Sequence, residues 1–187
     1  MPTPASEPQG SFSYSDYLTW PDDERWEIID GRAYNMTPAP SVRHQQTLGN
    51  IYVLLRHAFH GRGCFIGMAP TDVVLSEHDV VQPDLFVVCD RKKITERNIQ
   101  GAPDMVVEVL SASTAKKDRW EKKLLYERSG VSEYLLLDPE GQFLERYVLE
   151  KDGRFDRGEI LGPHETMVLK FMEGISIPLQ EVFGPVA

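Results

Sequence analysis

The stretch VVQPDLFVVCD, residues 80–90, and its near neighbour APDMVVEVLS, residues 102–111, decide how this chain is read. Each is a short, near-continuous apolar run of the kind that fills a strand covered on both faces. Each also carries an acid: Asp84 at the mouth of the first, Glu108 inside the second. An ionised carboxylate in an apolar interior costs several kcal/mol unless it is paired or bound to a cation. Two such acids in the two most hydrophobic strands therefore call for a chemical reason.

The elements around them read outward from these strands. WEIID, Asp30-Gly31 and AYNMTP form a β-hairpin, because Asp-Gly supplies the positive φ angles of a tight primed turn. Before it, residues 14–20 suggest a short helix that ends at Pro21. Between Val42 and Phe59, apolar residues at Leu48, Ile51, Tyr52, Leu55 and Phe59 recur at helical spacing, and Gly61 and Gly63 stop the helix. Strands are expected near 64–68, 72–75, 84–88 and 104–110. Next come a helix over 115–129 that Ser111, Ser113 or Thr114 would cap, and strands at EYLLLD and FLERYVLE. Further short strands are expected near 155–160 and 167–171. Helix, strands, helix and strands again make an α/β fold, a mixed central sheet flanked by helices with an N-terminal β-hairpin.

With 187 residues the chain suits one domain, residues 13–187, behind a disordered tail over residues 1–12. No apolar run approaches the roughly 20 residues that span a bilayer, and the N-terminus has no secretory pattern. The cysteines, Cys64 and Cys89, make neither a CxxC nor a framework of pairs, which fits a reducing, cytoplasmic setting. Net charge is −9, against a protein that coats nucleic acid non-specifically, yet residues 90–128 hold ten Lys or Arg against seven Asp or Glu. That basic centre suits either a polyanion or a solvated helix face.

If the two acidic strands lie side by side, Asp84 and Glu108 meet at one sheet edge. Two carboxylates and a backbone carbonyl make a hard oxygen site suited to Mg²⁺. The bland alternative is that each acid pairs with a Lys or Arg and closes the sheet end. In STAKKDRWEKKLLYERSGV, Asp118 and Lys122 lie four apart on one helical face, with Leu124, Leu125 and Tyr126 marking the packed side. A helix entered from the Glu108 strand folds back over it and brings Lys122 near the acids. A metal, two acids and a lysine are what phosphodiester hydrolysis requires.

The order WEIIDG, His44 on a helix, QPD with Asp84, VEVLS with Glu108, D-x-x-x-K-x-x-x-Y with Asp118, Lys122 and Tyr126, then GVSEYLLLDP resembles the Uma-type restriction endonuclease family. That family is a branch of the PD-(D/E)XK nuclease superfamily, and the resemblance runs from about Trp26 to Pro139. It implies a restriction-endonuclease-like core in which Asp84 and Glu108 bind Mg²⁺ (or Mn²⁺), with the Val109 carbonyl as third ligand. It implies a DNA substrate and, by analogy, a homodimer. The chain departs from the superfamily pattern because E-x-K here is Glu108-Val109-Leu110. Lys122 takes the lysine's role, activating water or stabilising charge with Asp118 positioning it, and Lys123 is second choice.

Glu27 matches a family acid and would support the site by approaching the metal, although a hairpin glutamate is usually a surface residue. Gln82 would hydrogen-bond the site or cap the strand. His44 would touch a phosphate or be structural. His57 and His60 lack a third ligand for zinc, and Ser113-Thr-Ala-Lys116 lacks the companion motifs of an acyl enzyme. The competing reading is a catalytically inactive nuclease-fold module that binds DNA or protein.

Overall fold

The computed structural model of the protein describes residues 11–21, 23–36 and 39–184. Most of the expected N-terminal tail lies outside these residues. Phe12, counted with that tail, donates its N–H to the Gly31 carbonyl at 2.7 Å and packs with Trp20.

The hairpin forms as read. Strands β1 (Trp26–Ile29) and β2 (Arg32–Asn35) pair antiparallel, and Asp30 and Gly31 take φ of 51° and 71°, the left-handed pair a primed turn requires. Helix α2 (Val42–Ala58) follows α1 (Tyr14–Tyr17). Its Ser41 hydroxyl accepts the His44 N–H at 3.1 Å, and Leu48, Ile51 and Leu55 are buried. Gly61 and Gly63 beyond it have φ of 76° and 79°.

Strands β3 (Phe65–Met68), β4 (Val73–Ser76), β5 (Asp79–Val81), β6 (Leu85–Val88), β7 (Ile99–Gln100) and β8 (Met105–Val109) come next. Then follow β9 (Glu133–Asp138), β10 (Phe143–Val148), β11 (Glu159–Leu161), β12 (Thr166–Val168) and β13 (Ser176–Pro178). They form a six-stranded sheet β11-β10-β9-β8-β6-β3, a five-stranded sheet β2-β1-β5-β4-β7, and the pair β12-β13. The large sheet is mixed, since β8 and β9 run parallel while β6 and β8 run antiparallel. The hairpin therefore opens a second sheet and does not extend the first. Strands β5, β7 and β13 are too short and too mixed in composition to give a period-2 signal.

One face of the large sheet packs against α2, β13 and the final helix α5 (Leu179–Val182), with Leu85, Val107 and Val109 pointing that way. Its other face, carrying Phe86, Val106 and Leu110, packs against the smaller sheet and the helix after β8. That helix has three parts: α3 (Ala115–Lys117), a π segment Asp118–Lys122, and α4 (Lys123–Ser129), which Gly130 ends at φ 86°. The expected cap is different in detail. Thr114 holds the N-cap position without a side-chain cap bond, while the Ser111 hydroxyl accepts the Thr114 N–H at 3.2 Å.

Two further details correct the sequence reading. Leu124 is 57% exposed, so only Leu125 and Tyr126 face the core. Cys64 and Cys89, which gave no sign of pairing, flank the Phe65–Val88 pair of β3 and β6 and are joined as a disulfide. Among the described residues no helix is long and apolar enough to cross a membrane.

Candidate active site

Strand pairing brings the two acids together. Leu85 stands opposite Val107 across β6 and β8, so one further step places Asp84 opposite Glu108 at the sheet end. Each carboxylate then accepts an N–H from the other strand: Val109 N–H donates to Asp84 Oδ2 at 2.8 Å, and Asp84 N–H to Glu108 Oε2 at 3.3 Å. The Gln82-Pro83-Asp84 segment is also where the chain leaves β5 of the small sheet for β6 of the large one. The acids therefore sit at the joint between the two sheets.

Three elements converge on this joint. From α2, His44 Nε2 lies 3.2 Å from Asp84 Oδ2, while its Nδ1 is buried with no hydrogen-bond partner among the described residues. From the π segment, Lys122 Nζ lies 2.8 Å from Glu108 Oε1, 2.7 Å from Glu27 Oε1 and 4.0 Å from Asp118 Oδ1. A π turn widens the helix by one residue and recurs at functional sites; here it carries both Asp118 and Lys122. From α4, the Tyr126 hydroxyl donates to Glu108 Oε1 at 2.9 Å. Tyr134 of β9 donates to the Asp118 carbonyl at 3.0 Å, tying down the π turn from below.

Glu27 is the largest departure from expectation. It is fully buried on β1, where its Oε2 meets Lys117 Nζ at 2.8 Å and its Oε1 accepts the Gln82 N–H at 3.1 Å. Only the backbone of Gln82 serves this network, because its side chain turns away to Arg25, Tyr17 and Asp72. Lys123, the second-choice lysine, lies over the Tyr147 ring at 3.7 Å and takes no part. Leu110 is buried in the core against the helix, and its N–H continues the ladder to the Leu137 carbonyl at 2.8 Å. The position two after Glu108 is thus a packing position, and the ammonium that meets Glu108 comes from the helix.

The electrostatics follow from a count. Glu27, Glu108 and Asp118 meet the ammonium groups of Lys117 and Lys122 while Asp84 meets His44, so four carboxylates share two ammonium groups, an excess of two negative charges when all six are ionised. Burial alone would discharge Lys122, but Glu108, Glu27 and Asp118 outweigh it and hold its pKa well above the ordinary lysine value. Glu27 is also opposed by burial, yet Lys122 and Lys117 draw its carboxyl down to about 2. Glu108 shares the same Lys122 and moves the other way. Burial pushes it up, and repulsion from Asp84, Asp118 and Glu27 helps carry it to about 8. Glu108 is therefore the acid that relieves the excess, by holding a proton into the neutral range until a cation displaces it.

Glu27→Gln tests the first half of this balance. A carboxylate with a lowered folded pKa stabilises the fold fully above its free value of 4.5 and loses that contribution as pH falls through about 2. Urea midpoints of the wild type should exceed those of Glu27→Gln at neutral pH, and the gap should close progressively on acidification below pH 4.5. A gap independent of pH would refute the ion-pair account.

Among the described residues no three His, Cys, Asp or Glu side chains form a ready-made metal cage. A two-carboxylate edge still suits Mg²⁺, which keeps several waters and is commonly held by one or two carboxylates plus substrate phosphate.

Lys117 was missed in the sequence, where it is only the second lysine of a KK pair, five residues before Lys122 and so off the three- or four-residue spacing that marks one helical face. Glu27 was named either as a supporting acid near the metal or as a surface residue, since a four-residue hairpin strand gives no hint of which sheet covers it.

Comparison with known proteins places the fold and the family. A structure described as a putative nuclease belonging to DUF820, from Anabaena variabilis, superposes with a TM-score of 0.76 over 92% of this chain and 97% of its own, at 18% identity. The uncharacterized protein slr1290 of Synechocystis is 29% identical over 152 residues, covering 79% of this chain and 80% of the relative. The Uma2 model, "Putative restriction endonuclease", matches residues 14–180, from the first helix through the hairpin, both acidic strands and the lysine-bearing helix to the last helix. A match over that span carries every element that builds the joint between the sheets, and the chain belongs to the Uma2 family.

Proposed function

We propose that this protein is a divalent-metal-dependent endonuclease that hydrolyses phosphodiester bonds in DNA. The observation that carries the reading is the excess negative charge at a sheet edge, where Asp84 and Glu108 share one position of register. Asp84, Glu108 and the Val109 carbonyl would hold one Mg²⁺ or Mn²⁺, whose charge of two matches the excess of the fully ionised cluster. When bound, it supplies Lewis-acid polarisation of the scissile phosphate.

The chain's own residues do the rest. Lys122 and Tyr126 both bind Glu108 Oε1, so they fix the carboxylate plane and leave Oε2 directed toward Asp84. His44 and the Val109 N–H hold Asp84 Oδ2 in the same way. With its pKa raised, Lys122 stays an ammonium. Its role is to neutralise charge and orient the attacking water, with Asp118 behind it. A second copy of the chain would present a second edge of this kind for the other DNA strand.

The test is conversion of supercoiled plasmid in Mg²⁺ or Mn²⁺ against EDTA. We expect metal-dependent nicking by the wild type and none by Asp84→Ala. A protein that binds DNA but never cuts it, with any of these cations, would be the inactive module instead.

A further inference from the structure

The two lysines of the cluster are not equivalent. An ammonium has three N–H donors, and those of Lys122 face three acids at 2.7, 2.8 and 4.0 Å while only 3% of its side chain is exposed. Lys117 has one carboxylate among the described residues, Glu27 at 2.8 Å, and its side chain is 17% exposed. Its Nζ also lies 5.3 Å from the centre of the Tyr34 ring, which steers the chain across the hairpin without consuming a strong acceptor. Lys122 is therefore the enclosed cation, with two donors committed to Glu27 and Glu108 and one left for the water, and Lys117 is the ammonium with more surface to spare.

Position matters as much as exposure. Glu27 holds Lys122 with one oxygen and Lys117 with the other, so the two ammonium groups flank a single carboxylate. Asp84, the acid that opens to solvent, is 22% exposed on the same joint. A polyanion approaching that edge meets a carboxylate before any cation unless one stands at the mouth, and opposite charge at the mouth is what draws such a ligand in.

Resting on the nuclease reading above, we propose that Lys117 contacts the substrate directly, donating to a non-bridging oxygen of the nucleic-acid phosphate backbone while it keeps its bond to Glu27. The two lysines then have separate roles, Lys122 fixing Glu108 and orienting the water and Lys117 receiving the phosphate.

The experiment is the salt dependence of binding to a short DNA duplex by fluorescence anisotropy, at fixed Ca²⁺ with NaCl varied. Neutralising one phosphate contributes about 0.9 to the slope of log affinity against log salt. Lys117→Met should lower the slope by about that amount and weaken binding several-fold at low salt, whereas Lys117→Arg should keep the slope.

Loss of Lys117 also leaves Glu27 with one partner fewer, so Glu27→Gln/Lys117→Met is the decisive control. If Lys117 merely balances Glu27, the double variant regains wild-type binding; if Lys117 meets phosphate, it stays weak. An unchanged slope in Lys117→Met, or recovery in the double variant, overturns the proposal. A wild type that binds DNA without cutting it sinks the nuclease reading alone, because the slope still reports the contact. A wild type with no affinity for DNA sinks both.

Discussion

Lys122→Met should unfold far below the wild type while keeping the same fold at low temperature. Methionine has nearly the reach and volume of the lysine stem, so packing around the π turn changes little. What changes is charge. Glu27 and Glu108, both buried, each lose an ammonium at under 3 Å, and Asp118 loses its nearest cation. Removing one partner of a buried ion pair costs about 3–5 kcal/mol, because the other is left buried and uncompensated. For a domain of this size that corresponds to a fall in Tm of roughly 6–20 °C. The fall should be partly reversed in Glu27→Gln/Lys122→Met, since the double variant removes the stranded charge along with its partner. Thermal denaturation followed by circular dichroism checks both. A single variant as stable as the wild type would mean that the three acids do not depend on Lys122.

How much of this was legible beforehand depends on the kind of signal each residue gives. The strands bearing Asp84 and Glu108 announced themselves, because buried strands are apolar runs and an acid in one is conspicuous. Their side-by-side placement stood in the sequence only as a condition, which the pairing of β6 with β8 meets. Lys122 was found from its spacing to Asp118 and from the turn that sends the helix back over its own strand. Glu27 and Lys117 were hidden for one shared reason: burial of a short hairpin strand is decided by a second sheet, and that sheet depends on β5 and β7, segments of three and two residues. No local period marks them. The Cys64–Cys89 pair was hidden likewise, because only the register of β3 against β6 sets those two residues beside each other.

Glu108→Gln should separate function from stability in the opposite sense to Lys122→Met. The amide keeps the shape of the side chain and an oxygen for Lys122 and Tyr126, and it removes the one charge that the fold disfavours. Ionised Glu108 is disfavoured in the fold by burial and by Asp84, Asp118 and Glu27, as its rise to about 8 records. A carboxyl with a raised folded pKa costs stability as pH climbs above its free value of 4.5, so at neutral pH the amide should leave Tm unchanged or higher in metal-free buffer. Metal affinity should fall by more than about 100-fold, the upper range seen when a mere supporting contact to a ligand is lost, and plasmid cleavage should vanish. Isothermal titration with Mn²⁺ beside thermal denaturation in EDTA reads the two effects separately. A residue whose charge burdens the fold and yet is required for the cation is the pattern expected where stability has been yielded to chemistry. Glu108→Gln that binds Mn²⁺ as the wild type does would move the metal away from this edge altogether.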